Sequence, residues 1–569
     1  MLSAIKDIGN LVSEKSWTNT KLIEGKIISI LIDPEKESYM GIDIEDFDST
    51  KTNLYLYKSG SSKGNVSSPF CPLTEPQKTY KKIEGWMKQC DDLENIVDTD
   101  KLIIGKIIEI LNAQKGKIIA ELDAKTVDIS KKVSKFLTLK LDGKYLGAYK
   151  IFDKCLERFD EVKKKRSAST GVCSICSISG KEVSGKTDVF RFYTIDKPGF
   201  ITGGFEESEA WKNYPVCGDC KTLLEKGRQF IDTKLFFKFY GLGYSLIPRI
   251  LISNNNELEE ILDILSDSTK VVSLKERLKK KITNDENEIL EYLSEKKDIL
   301  TLNFLFLQKQ QSAERILLLI EDVFPSRIKN IFDAKDYIDK IFENDFEHGF
   351  NFGTIRTFFS KSDENKRESD LNKYFLEIVD SVFKGRKLNL SFLTTFHMAV
   401  IRKEFVSDGY FSFRVKDALM NILFFEYLNL IIFKEVEIME ENIFSSVFTR
   451  YGKTFGSSAK RGIFLLGSLT QLLLQKQWSD RDAKPFMKKL KGLKMGEKDI
   501  KALLPEVQNK LEEYDSFDKG KKQIASEISN YLLDAGNEWK MSTDEINFYF
   551  ACGMNLADKI ADIVYSKTN

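Results

Sequence analysis

Histidine is nearly absent from this chain: only His348 and His397 occur in 569 residues. A histidine-aspartate phosphohydrolase, a His-metal nuclease or a Ser-His-Asp hydrolase needs imidazole beside a fixed partner, and neither histidine stands in such a motif. His397, in Phe396-His397-Met398-Ala399-Val400, reads as a satisfied helix residue, and His348, in Glu347-His348-Gly349, as a loop residue. Long apolar runs are missing too. The most apolar window, Ala418 to Phe433, is interrupted by Asn421, Glu426 and Asn429 and is shorter than a membrane span requires. The opening Met1-Leu2-Ser3-Ala4-Ile5-Lys6-Asp7-Ile8 has no apolar stretch followed by a small-residue cleavage site, so no signal peptide is expected. A soluble, cytoplasmic protein without membrane contact is the resulting expectation. Nor does either charge dominate. The 87 Lys and Arg against 86 Asp and Glu leave +1, which excludes a uniformly basic nucleic-acid binder.

Apolar and aromatic residues, in contrast, are plentiful. Hydrophobic residues at 42% with 41 Phe exclude a disordered chain, and 569 residues exceed what one core usually holds, so three or so units are expected. The sharpest motif is a pair of knuckles, Cys173-Ser174-Ile175-Cys176 and Cys217-Gly218-Asp219-Cys220, separated by 40 residues. Each CxxC places two thiolates on one tight turn, and two such turns make the tetrahedral sulfur shell that Zn2+ prefers. The spacing exceeds that of an ordinary zinc ribbon and implies a ribbon carrying an insertion. Four thiolates close the shell, leave no place for a catalytic water and make the site structural. A redox-active CxxC or two disulfides are the alternatives; a reducing cytosol disfavours disulfides, and redox chemistry needs only one pair.

In chain order, Lys26 to Ile32 and Leu54 to Tyr57 read as strands. Asp43, Glu45, Asp46 and Asp48 between them read as a solvated strand end, because no second acidic cluster completes a two-metal site. The Gly/Ser loop that follows, with Lys58, Ser61, Ser62, Lys63 and Asn65, can cradle phosphate oxygens but lacks the Walker pattern. Lys163, Lys164, Lys165 and Arg166 form a cationic run directly before the first knuckle. Val189 to Ile195 and Ile299 to Leu307 are expected strands, Lys221 to Ile231 a helix, and Ala313 to Val323 a helix that stops at Pro325. Beyond this, Leu371 to Lys384, Phe392 to Phe405 and Lys416 to Phe433 read as helices. Arg461 to Trp478 reads as a one-sided helix through Leu466, Leu469 and Leu473. Leu504, Val507, Leu511 and Tyr514 form a further stripe with Pro505 suited to the first turn. Ser542-Thr543-Asp544-Glu545 is a capping box.

Charge is unevenly placed in this last part. Residues 447–510 hold 14 Lys or Arg against 5 Asp or Glu, net +9, whereas residues 511–569 hold 6 against 11, net −5. Lys460, Arg461, Lys488, Lys489, Lys491 and Lys494 are the candidate polyanion contacts. The fold class is α+β: a mixed α/β N-terminal body with an inserted four-cysteine zinc ribbon, followed by an all-α C-terminal helical bundle. The expected divisions are an N-terminal α/β region at 1–165, the ribbon insertion at 166–225, the rest of the body at 226–410 and the bundle at 411–569.

Several segments, taken in order, resemble one family, the large subunit of the type I-B CRISPR surveillance complex Cascade, of the Csh type. They include Leu141-Asp142-Gly143-Lys144-Tyr145, Gly171-Val172-Cys173-Ser174-Ile175-Cys176, Phe192 to Phe200, Trp211 to Cys217 and Ile320 to Arg327. The tail adds Pro485 to Leu493 and Glu545 to Met554. One departure is Ser177, where the pattern has Gly directly after the second cysteine. The resemblance implies a non-catalytic subunit at the 5′ handle of the CRISPR RNA. It would contact target double-stranded DNA and the displaced single strand, help recognise the protospacer-adjacent motif, and present the opened duplex to a separate helicase-nuclease. Its neighbours would be the backbone and handle-capping subunits and the small subunits, the latter made from an internal start at Met420 or Met439. A zinc-stabilised adaptor between proteins is the alternative. A nuclease or cyclase-type large subunit is disfavoured, since no His-Asp pair or Gly-Gly-Asp-Asp turn is present.

Overall fold

Alternation of side chains along two strands lays down the first sheet. The computed structural model describes residues 1–14, 25–48, 51, 54–56, 68–93, 98–130, 133–156, 168–187, 189–193, 195, 198–202, 204–251, 255–266, 300–310, 313–342, 349–363, 365–407, 409–433, 437 and 439–566. Helix α1 (Leu2–Glu14) is followed by β1 (Gly25–Asp33), β2 (Ser38–Asp46) and the two-residue β3 (Cys71–Pro72). Helices α2 (Pro76–Asp91), α3 (Asp98–Ala113) and α4 (Lys115–Thr126) lead to β4 (Ser134–Leu141) and β5 (Lys144–Tyr145). The sheet order is β2-β1-β4-β3, with β5 on β4; β1 and β4 run parallel, as a long helical crossover permits. Ile28, Ile30 and Ile32 of β1 and Leu137, Leu139 and Leu141 of β4 face one side and bury against Tyr80, Trp86, Ile107 and Leu122 of the helices. Residues one step out of phase, Ile27 and Phe136, face the other side and pack with Tyr55, Phe70 and Tyr145.

That second face corrects two expectations. Leu54 to Leu56 is a turn, not a strand; Leu56 has φ 54°, and Tyr55 stacks on Phe70 at 5.5 Å. Asp43 and Glu45 are not simply solvated. The buried Lys140 ammonium binds Asp43 at 2.7 Å and also binds Glu45, whose other oxygen accepts from the Tyr145 hydroxyl at 2.8 Å. The lysine takes the place between the carboxylates that a cation would need.

The remaining elements begin with a small sheet, β6 (Ala168–Gly171), β7 (Lys181–Ser184) and β8 (Val216–Cys217), and helix α5 (Gly218–Lys234). Val189 to Ile195 is irregular over its described residues rather than a strand. A four-stranded sheet then forms in the order β12-β11-β10-β9, from β9 (Phe236–Phe239), β10 (Leu242–Ile250), β11 (Leu300–Gln310) and β12 (Ala313–Val323), with α6 (Asn255–Ser266) between β10 and β11. The expected helix at Ala313 to Val323 is therefore β12. Its Ile-Leu-Leu-Leu-Ile run satisfies either period, and pairing with β11 decides. Pro325 opens the next helix instead of ending the previous element.

Helices α7 (Pro325–Phe342), α8 (Phe352–Phe358), α9 (Asn372–Lys384), α10 (Leu390–Ser407), α11 (Phe411–Tyr427), α12 (Ser445–Arg450), α13 (Ser458–Arg481), α14 (Glu497–Glu513), α15 (Lys519–Asp534), α16 (Thr543–Asn555) and α17 (Ala557–Ser566) complete the chain. The mixed α/β body and the helical C-terminal region are thus as the sequence implies. α13 is not one-sided: Ile463, Phe464, Leu465, Leu466, Leu469, Leu473 and Leu474 are all buried, and α14 to α17 surround it. Pro505 lies inside α14, which starts eight residues earlier at Glu497. The Ser542 capping box is present, with Glu545 N donating to Ser542 Oγ at 3.2 Å and Ser542 N to Glu545 at 2.9 Å. His397 on α10 is fully buried as a helix residue, but it is not satisfied: neither ring nitrogen has a hydrogen-bond partner among the described residues. His348 lies outside the described residues. The chain packs as two units, residues 1–236 with 307–316, and residues 237–306 with 317–569.

Candidate metal centre and basic loop

The four cysteines converge because each knuckle ends a different element. Cys173 follows β6, and the turn through Cys176 is closed by Ser177 N donating to Cys173 O at 2.8 Å and Cys173 N to Ile178 O at 3.1 Å. Ser177 takes a left-handed φ of 58°, the conformation a glycine would adopt freely, so the family departure changes the residue and keeps the turn. Cys217 ends β8, pairs with Val183 of β7, and caps α5, placing Cys220 in the first helical turn. Ser174 N donates to Pro215 O at 2.8 Å and joins the two knuckles.

The four sulfurs lie within 4.8 Å of one another, with Cys176 and Cys217 Sγ 4.0 Å apart. Zn–S bonds of about 2.3 Å in a tetrahedron require S···S separations of about 3.8 Å, whereas a disulfide requires about 2.05 Å. All four are free thiols, so the arrangement fits a metal ion and not disulfides. Burial works against the Cys173 thiolate, but the amides of Cys176, Cys217 and Ile175 outweigh it and bring Cys173 down to about 6. Burial pushes the Cys217 and Cys220 thiols upward. Cys217 N points at Cys173 Sγ at 3.4 Å, an amide-to-sulfur contact suited to a ligating thiolate.

The centre is anchored along α5. A Cβ on Gly227 would stand 2.0 Å from Ile5 O, and one on Gly9 1.9 Å from Leu223 O, so α1 and α5 touch backbone to backbone. Arg228 of α5 binds Asp232 at 2.9 Å and Glu314 at 2.9 Å, and its guanidinium lies 4.4 Å from the Phe190 ring. Glu314 also accepts from Arg191 N at 3.0 Å, tying the segment between the knuckles to the start of β12.

The candidate nucleic-acid residues fall into three groups. Lys58, Ser61, Ser62, Lys63, Asn65 and Lys163, Lys164, Lys165, Arg166 lie outside the described residues. Lys460 is directed at the Phe433 and Tyr549 rings, 5.3 and 5.1 Å away, and burial holds its ammonium below the usual lysine value. Arg461 donates to Phe455 O at 3.0 Å and lies 4.7 Å from the Phe448 ring. Both serve the bundle's interior.

Lys488, Lys489, Lys491 and Lys494 behave differently. All four are exposed, because Phe486, Leu490, Leu493 and Met495 between them are buried. Lys491, Gly492 and Leu493 adopt left-handed φ of 49°, 62° and 59° in succession. Two non-glycine residues there cost about 1 to 2 kcal/mol each, so the surroundings must hold them. Arg402 Nε grips Leu493 O at 2.8 Å, and Asn547 binds both Met495 N at 3.2 Å and Met495 O at 2.8 Å. Lys489 pairs with Glu506 at 3.0 Å and Lys491 with Asp499 at 2.6 Å; both pairs are exposed and weak. Lys488 and Lys494 form no ion pair among the described residues. The apolar spacing was legible in the sequence. The clamp through Arg402 and Asn547 was not, since it spans 91 and 52 residues of chain.

No helix among the described residues is long and apolar enough to cross a membrane. No curated protein matches the chain. Three family models do, those of the N-terminal, central and C-terminal domains of the CRISPR-associated protein TM1802, over residues 1–158, 170–323 and 350–568. They follow one another in a single order and cover nearly the whole chain, the central model spanning all four cysteines; the protein belongs to the TM1802 family of CRISPR-associated proteins.

Proposed function

We propose that this chain is the non-catalytic large subunit of a type I-B CRISPR surveillance complex, holding target DNA beside the guide RNA and offering it to a separate helicase-nuclease. The observation that carries the reading is the clamped loop 484–496. Four exposed lysines stand on a backbone fixed in an unfavourable conformation, which is the form of a phosphate-binding surface ordered before its ligand arrives. In guide-dependent recognition, base pairing supplies sequence specificity and the protein chiefly supplies backbone contacts. The four-cysteine centre takes Zn2+ in this reading, as a structural ion with a closed shell.

Replacing Lys488, Lys489, Lys491 and Lys494 together by Ala is expected to weaken DNA binding across sequences and to flatten the dependence of log K on log salt. The slope should fall by about 0.7 to 0.9 for each phosphate that the variant no longer neutralises. An unchanged slope would remove the loop from the DNA path, and wild-type protein that binds no DNA within the assembled complex would favour the adaptor between proteins.

The separate small subunit follows the same reading. A start at Met420 would cut α11 in its buried middle, whereas Met439 precedes α12 and leaves α12 to α17 whole. Mass spectrometry of the expressed complex should therefore show a species of about 15 kDa beginning at Met439, on the usual domain scale. An intact complex lacking it would rule out the internal start.

A further inference from the structure

We propose that the outer face of α2 is a second binding surface for the phosphate backbone of a nucleic acid, with the bare helix backbone at Gly85 as the seat on which a strand rests. The inner face of α2 is buried in the first core through Tyr80, Ile83, Trp86, Met87 and Cys90. On the outer face, the surface neighbours of Gly85 are the residues three and four positions away along the helix. They are Lys81, Lys82, Lys88 and Gln89, all exposed, and the exposed Lys78 continues the face toward the N-terminus. No atom lies within 4 Å of where a Cβ on Gly85 would stand, so no packing contact asks for a glycine there.

Two features of this face work against the helix that carries it. Glycine is the least favourable interior residue after proline. Lys78 stands in the first turn, where the macrodipole disfavours a cation and where α2 has no acid. Glu75 answers Lys78 only through an exposed pair at 2.9 Å, which is weak. Lys81 and Lys82 form no ion pair among the described residues. Glu84, its side chain 11% exposed, is shared between Lys88 at 2.7 Å and Lys115 at 2.8 Å, so the face keeps a surplus of positive charge.

The chemistry of the face selects the ligand. No large apolar side chain of α2 is among the exposed ones, whereas a protein interface rests on aromatic and aliphatic anchors and a membrane-bound helix inserts an apolar side. A phosphodiester chain needs neither. From Lys78 to Lys88 the helix rises about 15 Å, over which one strand of a duplex carries about four phosphates. Lysines meet them as point charges on flexible stems, and glycine lets the sugar-phosphate chain reach the helix backbone, from which a larger side chain would hold it away. The surface does not depend on the loop 484–496.

The test measures binding of the full-length protein to duplex DNA and to RNA of equal length over a range of salt. Lys81→Gln with Lys82→Gln is expected to lower the slope of log K against log salt by about 0.7 to 0.9 for each phosphate released, with thermal unfolding unchanged. Gly85→Leu should weaken binding several-fold at every salt concentration, leave the slope as it is and not lower thermal stability. Equal losses with both polymers assign the surface to any phosphate backbone, and a loss with one alone identifies which nucleic acid lies there. An unchanged slope in the lysine variant, wild-type affinity in Gly85→Leu, or competition by polyglutamate as strong as by nucleic acid at equal charge would overturn the inference. These substitutions leave Lys488, Lys489, Lys491 and Lys494 intact, so either surface can fail alone.

Discussion

A neutral imidazole at the heart of the helical unit shows how much one side chain decides. His397 packs edge-on to Phe358, with ring centroids 4.5 Å apart, and burial lowers its pKa to about 3. The unfolded chain takes up the proton near pH 6.5, so the unfolded state binds more protons at every pH between these values. Stability is therefore fully present above pH 6.5 and is lost as pH falls toward 3, by about 2 kcal/mol at pH 5. His397→Leu should remove this component. Denaturant titrations of both proteins at pH 7 and pH 5 check it, and an equal loss in the variant would show that other groups are responsible. Ser177 makes the complementary point, since a residue without glycine's freedom is held at φ 58° by the two hydrogen bonds that close the knuckle turn.

Two helix crossings are set by glycine. A Cβ on Gly467 of α13 would lie 2.1 Å from Phe550 O, and one on Gly553 of α16 1.8 Å from Phe464 O; Ser468 Oγ donates to Gly553 O at 2.8 Å across the same crossing. Close approach of this kind lets Phe448, Phe455 and Tyr549 pack around α13. Gly467→Ala must force the helices apart and is expected to destabilise the bundle by about 3 kcal/mol. Gly85 of α2 has no atom within 4 Å of where its Cβ would stand, so Gly85→Ala should instead stabilise by about 1 kcal/mol through helix propensity. Opposite signs in thermal unfolding support the crossing geometry, and a neutral Gly467→Ala would refute it. The α1–α5 crossing through Gly9 and Gly227 works in the same way and carries the metal centre's second knuckle with it.

At the scale of the molecule, the four-cysteine centre is expected to act as a clamp. Structural zinc contributes about 10 to 16 kcal/mol of folding free energy in small domains, and the three strands here are too short to hold the two knuckles together otherwise. Chelation, or Cys173→Ser with Cys217→Ser, should expose residues 168–234 to proteolysis and lower the first unfolding transition, while the all-helical region keeps its own. Zinc-free protein with unchanged protease resistance would overturn the role.

The sequence by itself determined the thiolate chemistry, the division into a mixed α/β part and a helical part, and the cationic loop, because each rests on residue type and short-range spacing. Two CxxC pairs announce four thiols able to hold a metal ion whatever lies between them, and Phe486, Leu490 and Leu493 announce which side of their loop is buried. Tertiary structure alone decided that Ala313–Val323 is a strand, since its apolar run fits both periods until β11 lies beside it. It alone placed Lys140 between Asp43 and Glu45, 97 and 95 residues away, and set Arg402 and Asn547 around Leu493 and Met495. Those contacts depend on strand register and helix crossing, which long-range packing fixes and local spacing does not encode.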